Sequence, residues 1–349
     1  MDTFDPELLP ANPRILLIKL RSIGDVIYNT AVYGPLKKRW PRAHLTVVVE
    51  PPAYDIVKDH PAVDEVLCFK KGSPLEQLRF YCRLFADRYD AAIDMHEGPR
   101  GSGMCFLSRA RFRIGNKRAK RSFLYNVRLT FDDLQPKYPI DYQVALIRKM
   151  GVEFGEVAPA VHISEAGVKR GGDILSQNGI APGDPFCVIH PGVRKIYDQW
   201  QFDKFAALAD YFHSRYGLKI VLACGPGQED QARAVLGLVR DAPCAFIQTG
   251  LQELAAITRR ARFVLCHNGG YMHLAAAMGT PTVALFGTAN PAVWGPWGQG
   301  HAVLYKSLYC SPCDSRTRRK ECDSGDAECK RLIAPEDVVK EVEAVLARG

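Results

Sequence analysis

Residues 263–287 read FVLCHNGGYMHLAAAMGTPTVALFG, a succession of strand, glycine loop, helix, turn and strand. Phe263–Cys266 is a short apolar run, as expected of a strand buried on both faces. His267-Asn268-Gly269-Gly270 breaks it. Tyr271–Met278 is a compact run of good helix formers, closed by Gly279 with Pro281 just beyond, which is a helix stop. Thr282–Phe286 is a second apolar strand. A strand that feeds a glycine loop and then a helix gathers unpaired backbone N–H groups and the positive end of a helix dipole at one point. That point suits an anion, most often a phosphate. The other reading is an ordinary βαβ unit whose glycines only make a tight turn, and the stretch alone leaves both open.

The same grammar runs outward in both directions. Arg14–Leu20 (RILLIKL) is a strand, Arg21–Asp25 a loop, and Val26–Arg39 a helix. Strands follow at Leu45–Val49, ended by Pro51-Pro52, then at Val63–Phe69 and Ala91–Asp94, with helices at Leu75–Asp87 and Gly101–Ser108 between or after them. The pattern changes near 155–185 and then restarts. Phe186–His190 is a strand, Pro191–Lys195 a loop, Phe202–Arg215 a helix, Lys219–Ala223 a strand and Cys224–Gly227 a loop. Gln228–Arg240 is a helix, Ala245–Gln248 a strand and Leu251–Arg260 a helix. Strands alternating with helices predict parallel sheets covered on both faces. The expected architecture is α/β, with two doubly wound Rossmann-like domains, residues 1–165 and 166–349, facing a cleft between them. The second domain carries a cysteine-rich segment at 310–329 and a C-terminal helix. In open α/β sheets ligands sit beyond the C-terminal strand ends, where the loops at 21–25, 191–195, 224–227 and 267–270 fall.

Bulk properties agree. The chain has 349 residues, enough for two α/β cores, and at 47% hydrophobic and 24% charged it has a globular composition. No apolar run approaches the ~20 residues of a spanning helix, and the start MDTFDPELLPANP lacks a signal pattern. A cytoplasmic location is therefore expected. Eleven scattered cysteines suit reduced thiols better than a disulfide scaffold. Of the net charge of +8, much lies in Arg109–Arg128. There Arg113, Lys117, Arg118 and Arg121 are interleaved with Phe112, Phe123 and Tyr125. A solvated face, nucleic acid, an acidic glycolipid and a membrane surface would all account for it.

Four groups are candidates for chemistry. Asp25 either caps a helix N-terminus or is a carboxylate that removes a proton from a substrate hydroxyl. The turn at Gly192 with Arg194 and Lys195 either holds a diphosphate or is a basic surface loop. His273 lies near the glycine turn. Cys310, Cys313, Cys322 and Cys329 have spacings that resemble a tetrahedral thiolate metal site, Zn or Fe, against which stands a free-thiol loop. Four thiolates leave no open position, so such a metal would be structural. There is no Gly-x-x-x-x-Gly-Lys-Ser/Thr run, no complete Gly-x-Gly-x-x-Gly after the first strand and no Gly-x-Ser-x-Gly turn, which weighs against P-loop, dehydrogenase and serine-hydrolase chemistry.

Four segments together resemble glycosyltransferase family 9, the ADP-heptose:lipopolysaccharide heptosyltransferases. They are ILLIKLRSIGDVIYNTAVYGPLKKRWPRAHLTVVV, VIHPGVRKIYDQWQFDKFAALAD, HNGGYMHLAAAMGTPTVALFGTANPAVWGP and the tail CSPC…EC…ECKRLIAPEDV, spanning about 14–340. The resemblance implies a GT-B fold and inverting transfer from a nucleotide-diphosphate sugar, here ADP-heptose, without a catalytic metal. It assigns Asp25, in the family's Ser-x-Gly-Asp loop, as general base. It assigns donor binding to Gly192, Arg194, Lys195, Asn268, Gly269, Gly270 and His273. Where the family reads Asp-Ser/Thr-Gly-x-x-His, this chain has Asn268-Gly269-Gly270-Tyr271-Met272-His273. Where the family often has lysine two residues before the tryptophan of the middle segment, this chain has Asp198. The acceptor implied is an anionic lipopolysaccharide-core glycolipid held by Arg113, Lys117, Arg118 and Arg121, with the protein peripheral at the cytoplasmic face of the inner membrane and no nucleic-acid partner. A GT-B enzyme with another nucleotide sugar or a non-lipid acceptor, and a non-catalytic sugar-nucleotide binder, are the competing readings.

Overall fold

The computed structural model describes residues 4–131, 134, 138–195, 198–313 and 327–348. The chain forms two compact units, Met1–His162 and Ile163–Gly349. In the first, six strands, β1 (Arg14–Ile18), β2 (His44–Val49), β3 (Glu65–Cys68), β4 (Ala91–Asp94), β5 (Phe112–Asn116) and β6 (Val127–Leu129), form one sheet in the order β3-β2-β1-β4-β5-β6. Every neighbouring pair is parallel. In the second, β7 (Phe186–His190), β8 (Lys219–Cys224), β9 (Cys244–Gln248), β10 (Val264–His267), β11 (Thr282–Phe286) and β12 (Ala302–Tyr305) pair in the order β12-β11-β10-β7-β8-β9, again all parallel. Numbered within its own unit, each sheet has the doubly wound order 3-2-1-4-5-6. The order reverses between β1 and β4 in the first unit and between β7 and β10 in the second, and the crevice beyond the strand C-termini at such a reversal is where this fold holds ligands.

Local sequence explains the elements. The central strands β1, β7, β10 and β11 are nearly continuous apolar runs because helices cover both sheet faces. The last helix, Pro335–Leu346, buries Val338, Val342 and Val345, one helical stripe, packed against β11, β12 and the helix Phe202–Tyr216. Burying each valine stabilises by about 1.5–3 kcal/mol. In the core of the second unit Trp200 is fully buried, and its indole N–H donates to Ile333 O at 3.1 Å. The first unit's core gathers Leu16, Ile18, Phe69, Leu84, Met104 and Tyr125 among others.

Three departures from the sequence reading have simple causes. Pro51-Pro52 do not only end a strand; they open the helix Pro51–Val57, because proline at the first helical positions lacks an N–H that would be unpaired there anyway. The helix expected over Val26–Arg39 is three pieces, Ile23–Asn29, a 3-10 turn at Thr30–Val32, and Tyr33–Arg39. Pro35 has no N–H to give Ala31 O, and fully buried Asn29 is tied sideways to Gln143 Oε1 at 2.7 Å and to the Tyr33 hydroxyl at 3.0 Å. The basic stretch 109–128 contains β5 and runs into β6, and in each strand one arginine, Arg113 or Arg128, stands between buried apolar residues.

Candidate functional site

The first unit's reversal is ringed by ionisable side chains that follow the strands. Asp25 stands in the first turn of the helix Ile23–Asn29. Its Oδ2 accepts the Ser22 backbone N–H at 3.0 Å, and its Oδ1 lies 3.5 Å from Lys19 Nζ. The two oxygens are divided: one caps the helix, the other faces an ammonium. The side chain is 26% exposed, so the carboxylate is reachable from solvent. Lys19, just past β1, is buried, and its ammonium also donates to Met95 O at 3.0 Å, which links the β1 loop to the β4 loop across the reversal. His96, two residues beyond β4, completes the ring. Burial pushes its pKa down to about 4, helped by Lys19 and Arg21 and opposed by Glu50 and Asp25. At neutral pH it is an uncharged imidazole. Glu50, past β2, pairs with Lys71, past β3, at 2.8 Å.

Asp94, the last residue of β4, is a different kind of carboxylate. It is fully buried, accepting from the Tyr125 hydroxyl at 2.6 Å and from the backbone N–H groups of His96 and Glu97 at 2.8 and 3.0 Å. Burial pushes its pKa up to about 6 against those bonds. It anchors the β4 loop to the N-terminus of the helix Pro99–Leu107, where a Cβ on Gly101 would come within 2.3 Å of its Oδ1.

The four basic acceptor candidates separate. Lys117, Arg118 and Arg121 are exposed on the turn after β5. Arg113 lies within β5, half-buried, its guanidinium donating to Leu124 O at 3.0 Å and Ala110 O at 3.2 Å. Arg113 therefore holds the turn that displays the other three.

The second unit's reversal is built from backbone and buried polar groups. Asn268-Gly269-Gly270 follows β10, and Gly270 begins the helix Gly270–Ala277. Gly269 is exposed, so the turn and the helix N-terminus behind it are open. The Asn268 backbone N–H donates to Leu285 O at 3.2 Å, while its side-chain Oδ1 is buried without a hydrogen-bond partner. His273 is buried one turn on. Across the reversal, Gly192 is buried against Gln228, and a Cβ there would meet Gln228 Oε1 at 2.5 Å. Gln231 braces the same loop by accepting the Val193 N–H at 2.7 Å. Arg194 and Lys195 are exposed at its tip.

A residue not singled out in the sequence joins these two loops. Lys330 is fully buried. Its ammonium lies 2.9 Å from His267 Nδ1, donates to Leu285 O at 2.5 Å and forms an ion pair with Asp198 Oδ1 at 3.7 Å, too long for a hydrogen bond. His267 closes β10, and its Nε2 accepts the Trp200 backbone N–H at 3.4 Å. Burial, then the Lys330 charge, hold His267 well below its usual pKa, so it is neutral. Asp198, standing where the resembled family carries lysine, thus meets a lysine supplied from further along the chain.

Of the four cysteines, Cys322 lies outside the described residues. The Cys313 backbone N–H donates to Thr288 O at 2.8 Å, and the Cys329 Sγ lies 3.0 Å from where a Cβ on Gly287 would stand. Two of the thiol-bearing residues therefore flank the dipeptide after β11. Among the described residues no three His, Cys, Asp or Glu side chains gather into a metal-binding group.

The profile of glycosyltransferase family 9 (heptosyltransferase) matches residues 77–323. The chain is 25% identical over 303 residues to lipopolysaccharide heptosyltransferase 3 of Escherichia coli, covering 83% of this chain and 88% of that protein. Its fold matches the family 9 glycosyl transferase of Veillonella parvula with a TM-score of 0.82 at 21% identity, over 100% of this chain and 99% of that one. It also matches the E. coli heptosyltransferase WaaC with ADP at a TM-score of 0.72 and 18% identity, over 95% and 99% of the two chains.

Proposed function

The chain belongs to glycosyltransferase family 9, and from that premise we propose that it transfers a heptose, or a closely related sugar, from ADP-heptose to a hydroxyl of the lipopolysaccharide inner core. Its α/β fold is of the GT-B type, two doubly wound units. The observation that carries the reading is the reachable Asp25 carboxylate at the first unit's sheet reversal, one oxygen capping a helix and the other beside Lys19.

In this mechanism Asp25 Oδ1 takes the proton of the acceptor hydroxyl as its oxygen attacks the anomeric carbon from the face opposite the diphosphate. The new glycosidic C–O bond forms, the C–O bond to the diphosphate breaks, and ADP leaves with the electron pair. The configuration inverts, and no metal is needed for the step. Lys19 orients the carboxylate. The departing charge meets the N–H groups of the Gly269-Gly270 turn and the cations Arg194 and Lys195. Lys117, Arg118 and Arg121 hold the anionic acceptor, a glycolipid at the cytoplasmic face of the inner membrane; no described helix is long and apolar enough to cross a membrane. Cys310, Cys313, Cys322 and Cys329 would hold a structural Zn or Fe, whose contribution is to folding; metal analysis of purified protein before and after Cys310→Ser/Cys313→Ser tests it.

A competing reading, the same fold acting on another nucleotide sugar, is favoured by one observation: Asn268 replaces a charge with an amide whose Oδ1 has no hydrogen-bond partner. Calorimetric titration with ADP, UDP and GDP, followed by mass spectrometry of the product from a panel of nucleotide sugars, decides between them. Tight binding of UDP or GDP with none of ADP would overturn the heptosyl assignment. Near-normal turnover by Asp25→Asn would remove Asp25 from its role.

A further inference from the structure

The helix Pro74–Asp87 is fourteen residues long and buries one side chain, Leu84. It is well formed locally. The Glu76 N–H donates to Ser73 Oγ at 3.3 Å and the Ser73 N–H to Glu76 Oε2 at 2.9 Å, a reciprocal cap, with Pro74 in the first turn. Its inner side is satisfied too: Phe80 and Tyr81 pack on the core, Phe80 edge-on to Phe69 at 5.1 Å. The opposite side carries Leu75, Leu78, Cys82 and Phe85, spaced i, i+3, i+7, i+10 on one stripe. Leu75 is 54%, Leu78 58% and Phe85 48% exposed, so the stripe has no cover among the described residues.

Cations border that stripe. Arg79 and Arg83 lie along one flank by helical spacing. Arg83 is already bridged to Glu65 and Asp87, whereas Arg79 is exposed. On the other side the Arg109 guanidinium sits over the Phe85 ring at 4.7 Å. The patch continues onto the next elements. The helix Pro99–Leu107 packs against Pro74–Asp87 and presents Phe106, 53% exposed, with Arg113 over its ring at 5.8 Å. The turn Ser122–Leu124 packs against that helix in turn and presents Phe123, 74% exposed, beside Arg121.

We propose that this face of the first unit docks on an anionic lipid bilayer, with Leu75, Leu78 and Phe85 entering the headgroup–acyl boundary and Arg79, Arg109 and Arg121 meeting lipid phosphates. Apolar side chains ringed by arginine are the pattern of a helix lying in a membrane interface. A second copy of the chain fits worse, because a two-fold contact would bring the arginines of both copies into one interface. The face is also the outside of a helix rather than a groove, which suits a flat surface and not a peptide. The first turn of Pro74–Asp87 follows β3, so Leu75 and Leu78 lie toward the same C-terminal sheet edge as Asp25. This surface gains its purpose from the lipid-acceptor reading, and the two fail separately.

The test is flotation of the full chain with phosphatidylethanolamine–phosphatidylglycerol vesicles and with phosphatidylcholine vesicles, beside Leu75→Ser/Leu78→Ser/Phe85→Ser and, separately, Arg79→Glu/Arg109→Glu. Wild-type protein is expected to float with the anionic vesicles and to bind the zwitterionic ones roughly tenfold less. Each variant is expected to lose about tenfold or more of anionic-vesicle binding while keeping the wild-type melting temperature and transfer to a delipidated acceptor. Equal flotation of variants and wild type overturns the proposal, as does equal binding to both vesicle types. So does a wild-type dimer on gel filtration that the serine variant converts to monomer, which would assign the face to self-association. Absence of transfer by the wild type would sink the heptosyl reading, and flotation would still decide whether this helix meets a bilayer.

Discussion

The two sheet reversals share a strand order and differ in what they display. The first gathers ionisable side chains around one reachable carboxylate: Asp25 is partly exposed, buried Lys19 lies 3.5 Å from it, and the Glu50–Lys71 pair and neutral His96 stand nearby. The second shows backbone, a glycine turn and a helix N-terminus, with Arg194 and Lys195 exposed at the tip of the β7 loop. It buries a supporting set in which Lys330, Asp198 and neutral His267 tie the β7 and β10 loops together. On the proposed function, one topology supplies two kinds of chemistry. A proton acceptor has to be a side chain with access to its substrate. A diphosphate cradle requires fixed N–H donors, and fixing them needs a rigid support behind the loop. The first reversal should therefore tolerate substitution structurally and fail in turnover, while the second should fail in stability and in nucleotide affinity.

The largest effect expected is on the exposed side. Asp25→Asn keeps an acceptor oxygen for the Ser22 N–H but cannot take a proton, so kcat should fall on the order of 10²–10⁴-fold. ADP affinity by calorimetry and the melting temperature should stay near wild type. A variant that lost ADP affinity instead would erase the distinction between the two reversals.

On the buried side, Lys330→Met leaves the Asp198 carboxylate buried without its cation. Breaking a buried pair from one side costs about 3–5 kcal/mol, so the melting temperature should drop by several degrees, with ADP affinity falling alongside. Adding Asp198→Asn to Lys330→Met should recover part of the loss, because the orphaned charge goes with it. Unchanged thermal stability in the single variant would mean that the loops do not depend on Lys330.

The same contrast decides what is legible in the sequence. Local signals are readable. Gly269-Gly270 before a helix, Asp25 after a strand and the alternation of strands and helices depend on neighbours along the chain, and the loops they mark do stand at the two reversals. The supporting groups are not readable. Lys330 sits in the run Glu328-Cys329-Lys330-Arg331, which looks like a solvated face; only the packing of that turn under β11 buries it. Lys19 leaves a faint trace as a lone cation in RILLIKL. The strands β5 and β6 escape a sequence reading because Arg113 and Arg128 interrupt their apolar runs, and β12 because AVLY is a four-residue apolar run with no periodicity to set it apart. Arg113 reads as one more surface cation because its carbonyl partners depend on the fold of the following turn.

Acid should reach the second reversal through His190. Its ring is buried and stacked on Tyr271 at 4.7 Å, and burial lowers its pKa from 6.5 to about 4. Unfolded chains bind a proton there between pH 6.5 and 4 that folded chains refuse, so its contribution is fully present above 6.5 and is lost as pH falls toward 4. The shift corresponds to roughly 3 kcal/mol. In the first unit Asp94 has the opposite sign: with its pKa raised from 3.8 to about 6, its contribution is present below 3.8 and lost as pH rises through 6. Melting curves of wild type and His190→Gln from pH 7.5 to 4.5 should show a flatter acid limb in the variant. Parallel curves would place the acid sensitivity elsewhere.

The smallest effects expected are those of the exposed cations, and they separate binding from support within the first unit. Lys117→Ala and Arg121→Ala each remove a solvated charge, worth about 0.2–1 kcal/mol. Acceptor KM should therefore rise only a fewfold for each, with kcat unchanged and the effect fading as salt is added. Arg113→Ala should behave otherwise although it removes the same charge. Its guanidinium is engaged by Leu124 O and Ala110 O, so the loss should appear as a lower melting temperature, about 1 kcal/mol for each backbone bond forgone, and should persist at high salt. If Arg113→Ala instead raised acceptor KM in a salt-dependent way at unchanged stability, its guanidinium would be leaving those carbonyls for the acceptor, and the division between displayed and supporting charge would have to be redrawn inside the first unit as well as between the two.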